Sequence, residues 1–139
     1  MDAMDPAEAK TDAVRPPVKL ALLWASLMAL YIYNDYFMLY WPGMIEMMAS
    51  SSLGPFGAVT GLKMLLIAAI LALPASMIFL SVLLPPMIAR PLNIVVGLVY
   101  LIIAALTLIG SPLFFRFIVM IEITATVLVI LTALTWRKA

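Results

Sequence analysis

Six side chains in this sequence could do chemistry together. They are Tyr31, Asn34 and Asp35 in the stretch YIYNDYFMLYWPG, Tyr100 in a later apolar run, and Arg116 and Glu122 in the last one. A charged side chain at the centre of a membrane-spanning helix costs roughly 2.5 to 3.5 kcal/mol on insertion scales, so such residues ordinarily face a protein interior, a partner or a wet cavity. A carboxylate and a guanidinium at one depth can compensate each other's desolvation. An acid with no such partner is expected as the neutral carboxylic acid. An ionised acid beside a neutral one suits proton transfer, acid–base chemistry or the binding of a polar head group.

Other chemistries are excluded by composition. The 139 residues contain no Cys and no His, which removes disulfides, thiol catalysis, thiolate metal sites and the commonest metal ligand and general base. The eleven methionines are scattered, so they are read as gap-fillers and no metal site is expected. A net charge of +1 gives no concentrated basic surface for nucleic acid. Hydrophobic residues make up 66% and charged residues 11%, with a mean hydropathy of +1.19, whereas soluble domains carry about 25% charged residues. The chain is expected to be an all-α integral membrane four-helix bundle.

Four apolar runs must position the polar residues. Residues 1–17 are mixed in charge and end in Pro16-Pro17, and are read as a flexible cytoplasmic tail before a retained first helix. Residues 18–139 are read as one domain with spans at about 18–40, 61–84, 92–109 and 113–136. Trp24, Tyr36, Tyr40 and Trp41 are read as interfacial rings. Pro42-Gly43 ends the first span, and MIEMMAS beyond it predicts a short amphipathic turn of helix in an ordered loop. Pro74 predicts a kink in the second span, tolerated if a neighbour satisfies the carbonyl it frees. Gly57, Gly61, Ala68, Ala72 and Ser76 form a small-residue stripe, read as an intramolecular contact face. Asn93, beside Pro91, is read as a cap of the third span.

Basic residues set the expected orientation. Lys10, Arg15, Lys19, Arg90, Arg137 and Lys138 fall on one side and only Lys63 and Arg116 on the other, which puts both termini in the cytoplasm. Asp35 and Arg116 then lie at matching depth, each roughly 6 to 9 Å inside the outer end of its span, and could pair. Arg116 could also snorkel outward. Tyr31 lies one turn from Asp35 on the same face. Glu122 is about 9 Å deeper than Arg116, level with Tyr31 and Tyr100, whose hydroxyls could donate to it.

The segments YIYND with the following PG, LPASMIFLSVLL, RPLNIVVGL and FIVMIEITATVLVILTALTW resemble a family of small four-span bacterial membrane proteins defined as a domain of unknown function. The likeness covers about Leu20 to Trp136. It implies motif positions at Tyr31, Tyr33, Asp35, Pro42, Asn93, Gly97 and Glu122, and none at Arg116. The bundle is also loosely similar to DoxX-like proteins, some of which are linked to quinone or thiol redox chemistry, an analogy of fold alone.

The expected function is therefore a bacterial inner-membrane protein, with membrane lipids around it and an outward-opening pocket for a quinone or lipid ligand. The pocket is lined by Tyr31, Asn34, Asp35, Tyr100, Arg116 and Glu122. In the competing reading these groups only fasten helices in a non-catalytic accessory subunit of a larger membrane complex, where an outward-facing small-residue stripe would mark the partner's seat. A third is a proton- or ion-coupled transporter acting as a homo-oligomer, since four spans without repeats make a narrow frame for alternating access. Nothing identifies an enzyme substrate, and the reading leans away from catalysis.

Overall fold

Proline and glycine punctuate the chain into helices. The computed structural model describes residues 14–136, so most of the expected tail, together with Lys10, Arg137 and Lys138, lies outside the described residues. Helix α1 is Pro16–Met38, α2 Met44–Ala49, α3 Gly61–Leu83, α4 Pro86–Thr107 and α5 Leu113–Thr135. Four of them, all but α2, are long and apolar enough to cross a membrane, with mean hydropathies from 1.3 to 2.5.

The boundaries follow from local chemistry. Pro16 and Pro17 occupy the first turn of α1, where no backbone N–H is needed and a fixed φ favours the helix. They are inside the helix rather than ahead of it. Gly43, at φ +82°, supplies the left-handed turn between α1 and α2. Thr60 caps α3 by accepting a hydrogen bond from the Lys63 N–H at 3.3 Å. Helix α4 begins at Pro86, six residues before the expected start of the third span at Leu92. Pro91 therefore lies within the helix. The carbonyl it frees, that of Met87, sits at an exposed helix end and needs no internal donor.

Helix α1 packs against both α3 and α5, and α5 packs against α4, while α3 and α4 touch only slightly. Inward positions recur at spacings of three and four, the repeat of helices crossing at shallow angles. In α1 they are Leu20, Trp24, Leu27 and Asn34. In α5 they are Val119, Glu122, Ala125, Thr126, Val129 and Ala133. Helix α3 buries only Pro74, Met77 and Ser81, all in its second half. At Gly97 an added Cβ would come within 2.9 Å of Ile130 Cγ1, so glycine lets α4 and α5 approach here.

Three expectations are corrected at this level. Trp24 is not interfacial. It is fully buried, and its indole N–H donates to Asn93 Oδ1 at 2.7 Å. Asn93 is not a cap, because α4 starts seven residues earlier and Asn93 falls on its inward row. Its Oδ1 also accepts from Ser81 Oγ at 3.1 Å and its amide donates to the Ala89 carbonyl at 2.8 Å, so one side chain joins α1, α3 and α4. The small-residue stripe does not face the bundle. Gly61, Ala68 and Ala72 are exposed, on the side of α3 away from Pro74, Met77 and Ser81. Gly57, at φ +75°, belongs to the preceding turn.

The expected helical turn in the first connection is present as α2, followed by a 3-10 turn at Gly54–Phe56. Lys63 Nζ reaches back from α3 to the carbonyls of Phe56 at 2.6 Å and Ala58 at 2.8 Å, and so orders the loop. At the opposite end of the bundle Arg90 donates to the carbonyls of Ala133 at 3.2 Å and Leu134 at 3.3 Å. A cation there complements the unsatisfied carbonyls closing α5.

Candidate functional site: a polar cavity between the four long helices

The inward row of α1 reaches its last turns as Tyr31 and Asn34, and Asp35 lies about 100° round the helix from Asn34. Across from them the row of α4 reaches Tyr100 and Ala104, and that of α5 begins at Phe115 and continues to Glu122. These residues, with Ile70 and Leu71 of α3 and with Ile103 and Thr107, line a cavity of about 140 Å3 in the half of the bundle nearer the 39–60 connection. A water occupies about 30 Å3 in the liquid and whole drug-sized ligands fill about 300 Å3 or more, so the space suits several waters or one small head group.

Asn34 and Glu122 are its buried poles, 3% and 4% exposed. The Asn34 amide donates to Glu122 Oε1 across a long 3.5 Å. Buried polar atoms almost always find partners. Here two do not meet one at good geometry: Asn34 Oδ1, and the Tyr31 hydroxyl, which has the Thr126 side chain beside it. Tyr31 stacks on Tyr100, with ring centroids 6.2 Å apart at 29°.

The Tyr100 hydroxyl does not reach Glu122, as its height suggested. It donates to the Ile70 carbonyl. That carbonyl is the one Pro74 frees, because the missing N–H of residue 74 would have been its helical partner. Tyr100 thus completes α3 and walls the cavity with one side chain.

Five of the six candidate residues come together: Tyr31, Asn34, Asp35, Tyr100 and Glu122 all line the cavity. Arg116 does not. It is exposed on α5, and no charged partner approaches Asp35 among the described residues. Equal depth did not make a pair because Phe115, four residues before Val119, takes the inward position, and Arg116 is turned about 100° from it. Among the described residues no group of three His, Cys, Asp or Glu side chains gathers that could hold a metal ion.

A family model described as "Family of unknown function (DUF6326)" matches residues 12–139. The chain belongs to this family. No curated protein and no solved structure matches it.

In this DUF6326 chain, sequence reasoning missed the hydrophobic lip of the cavity and the linkage through Trp24, Asn93 and Ser81. The signal for the linkage was present in the spacing of Leu20, Trp24, Leu27 and Tyr31, which sets Trp24 on the inward row rather than at an interface. A second groove of about 890 Å3, lined by Phe37, Tyr40, Trp41, Leu113, Phe114, Phe117 and Ile118, was also not foreseen. It presents aromatic faces and no acid.

Proposed function

We propose that this chain is a multi-pass protein of the bacterial inner membrane, with both termini in the cytoplasm, that binds the polar head of a small amphipathic molecule, a quinone or a lipid, in the cavity between its four long helices. The observation that carries this reading is the pair of buried, unpartnered polar atoms, Asn34 Oδ1 and the Tyr31 hydroxyl, beside Glu122 in a cavity of about 140 Å3. Orphaned polar atoms cost about 1 to 3 kcal/mol each, and an occupant that bonds them recovers that cost. The side with slight contact between α3 and α4 gives an apolar tail a route into the bilayer. The excess of Lys and Arg at the end of the bundle holding Arg15, Lys19 and Arg90 supports the orientation.

The test is native mass spectrometry of protein extracted gently from its own membranes, with identification of any small molecule that accompanies it. A quinone or lipid present on the wild type and lost from an Asp35→Asn, Glu122→Gln double variant is the expected result. Wild type and double variant carrying the same molecules in the same amounts would overturn the assignment.

One observation favours a second reading. The small-residue stripe of α3 faces outward, as a helix seat for a partner or a second copy would, and small residues permit close helix approach. Co-purification of stoichiometric polypeptides, with no small molecule, would support an accessory subunit.

A further inference from the structure

The hydrogen-bond groups around the cavity are unevenly used. Two of its three lining hydroxyls are spent as donors: Tyr100 donates to the Ile70 carbonyl and Thr107 to the Ala104 carbonyl at 2.7 Å. One Asn34 N–H is directed at Glu122 Oε1. With a cation beside them to hold both acids ionised, what remains is mainly acceptor: the buried Asn34 Oδ1, the second oxygen of Glu122 and both oxygens of Asp35, against the second Asn34 N–H and the Tyr31 hydroxyl, which serves either way. No lysine or arginine is among the lining residues. The faces of Tyr31 and Tyr100 and the ring of Phe115 complete the wall.

This arrangement discriminates among heads. A phosphate or carboxylate would be brought against two acids with no cation to receive it. The carbonyls of an oxidised quinone only accept, and would leave Asn34 Oδ1 orphaned. An alcohol brings a single donor. A primary or secondary ammonium brings two or three, supplies the missing positive charge and is attracted to aromatic faces.

Resting on the pocket reading above, and narrowing its lipid alternative against the quinone, we infer that the occupant is a cationic amphiphile, a primary or secondary ammonium whose head contacts Asn34 Oδ1, Asp35 and Glu122. Its apolar chain leaves between α3 and α4, past Ile70, Leu71 and Ile103, which are exposed at the lip.

Octylammonium, octanol and octanoate share one chain and differ in head, so each is titrated into the purified protein in a neutral detergent. Binding is measured by calorimetry, and thermal unfolding is followed by tryptophan fluorescence. Octylammonium is expected to bind at least roughly tenfold tighter than octanol, the worth of about one charge-assisted contact, and to raise Tm, while octanoate does neither. Asp35 is exposed, so Asp35→Asn keeps the fold. It is expected to weaken octylammonium roughly tenfold more than it weakens octanol. Glu122→Gln adds a second reading of the same effect. Equal affinity for octanol and octylammonium would overturn the charge preference and leave the amphipathic pocket standing. Preference for octanoate, or octylammonium binding unaltered in Asp35→Asn, would overturn the ammonium assignment. Binding of none of the three, together with wild-type protein that carries no small molecule from its membranes, would remove the pocket reading as well.

Discussion

Tyr100→Phe isolates one atom. Phenylalanine keeps the stacking on Tyr31 at 6.2 Å and the edge contact with Trp24 at 6.1 Å, so only the hydroxyl that serves the Ile70 carbonyl is lost. Without it, that carbonyl has neither Tyr100 nor a helical N–H, because residue 74 is proline. Hydrogen bonds between membrane helices average about 0.6 kcal/mol and reach about 1.7, and an orphaned buried acceptor costs about 1 to 3 kcal/mol. A loss of about 1 to 2 kcal/mol is expected. Pro74→Ala supplies the missing N–H, so in that background Tyr100→Phe should cost under about 0.5 kcal/mol. The double-mutant cycle cancels the packing lost with the buried proline ring. Reversible unfolding in mixed micelles, followed by tryptophan fluorescence, measures all four corners. A Tyr100→Phe cost that is the same in both backgrounds would refute the account of Tyr100 as the partner of the proline-freed carbonyl.

Asn93→Leu leaves the buried indole N–H of Trp24 without its acceptor, while the Ser81 hydroxyl keeps the Met77 carbonyl at 2.6 Å, and should destabilise by about 1 to 3 kcal/mol with a shift in Trp24 emission. Gly97→Val forces its side chain into Ile130, and a loss of about 1 to 3 kcal/mol in the same unfolding assay is expected from overpacking. Asp35→Ala and Arg116→Gln should each stay within about 0.5 kcal/mol of wild type, as changes at exposed, unpaired positions do. A large, matching loss in both would restore the ion pair that their equal depth suggested.

How far the sequence could be read depends on what each signal encodes. Hydropathy and breakers are local, and they located four long apolar helices, the short helix after Gly43 and the second span almost to the residue. The third long helix starts at Pro86, ahead of the expected Leu92, because proline in an early helical turn at an exposed end removes a bond that water can replace. The polar residues were chosen from the cost of placing them in apolar segments, and five of the six do meet. Arg116 stands apart from them because depth along a helix leaves azimuth open.

By itself the sequence determined the helices, their apolar character and the depth of each polar group along its own axis, since these depend on composition and on a rise of about 1.5 Å per residue. Only the tertiary structure decided which groups touch. It turned the α3 stripe outward, put Phe115 where Arg116 was expected, and made Asn93 a three-helix junction. It also spent the Tyr100 hydroxyl on the carbonyl freed by Pro74, leaving Asn34 and Tyr31 with open valences. Those outcomes depend on the rotation of each helix about its axis and on which neighbours it has, and both are fixed by packing among helices distant in sequence.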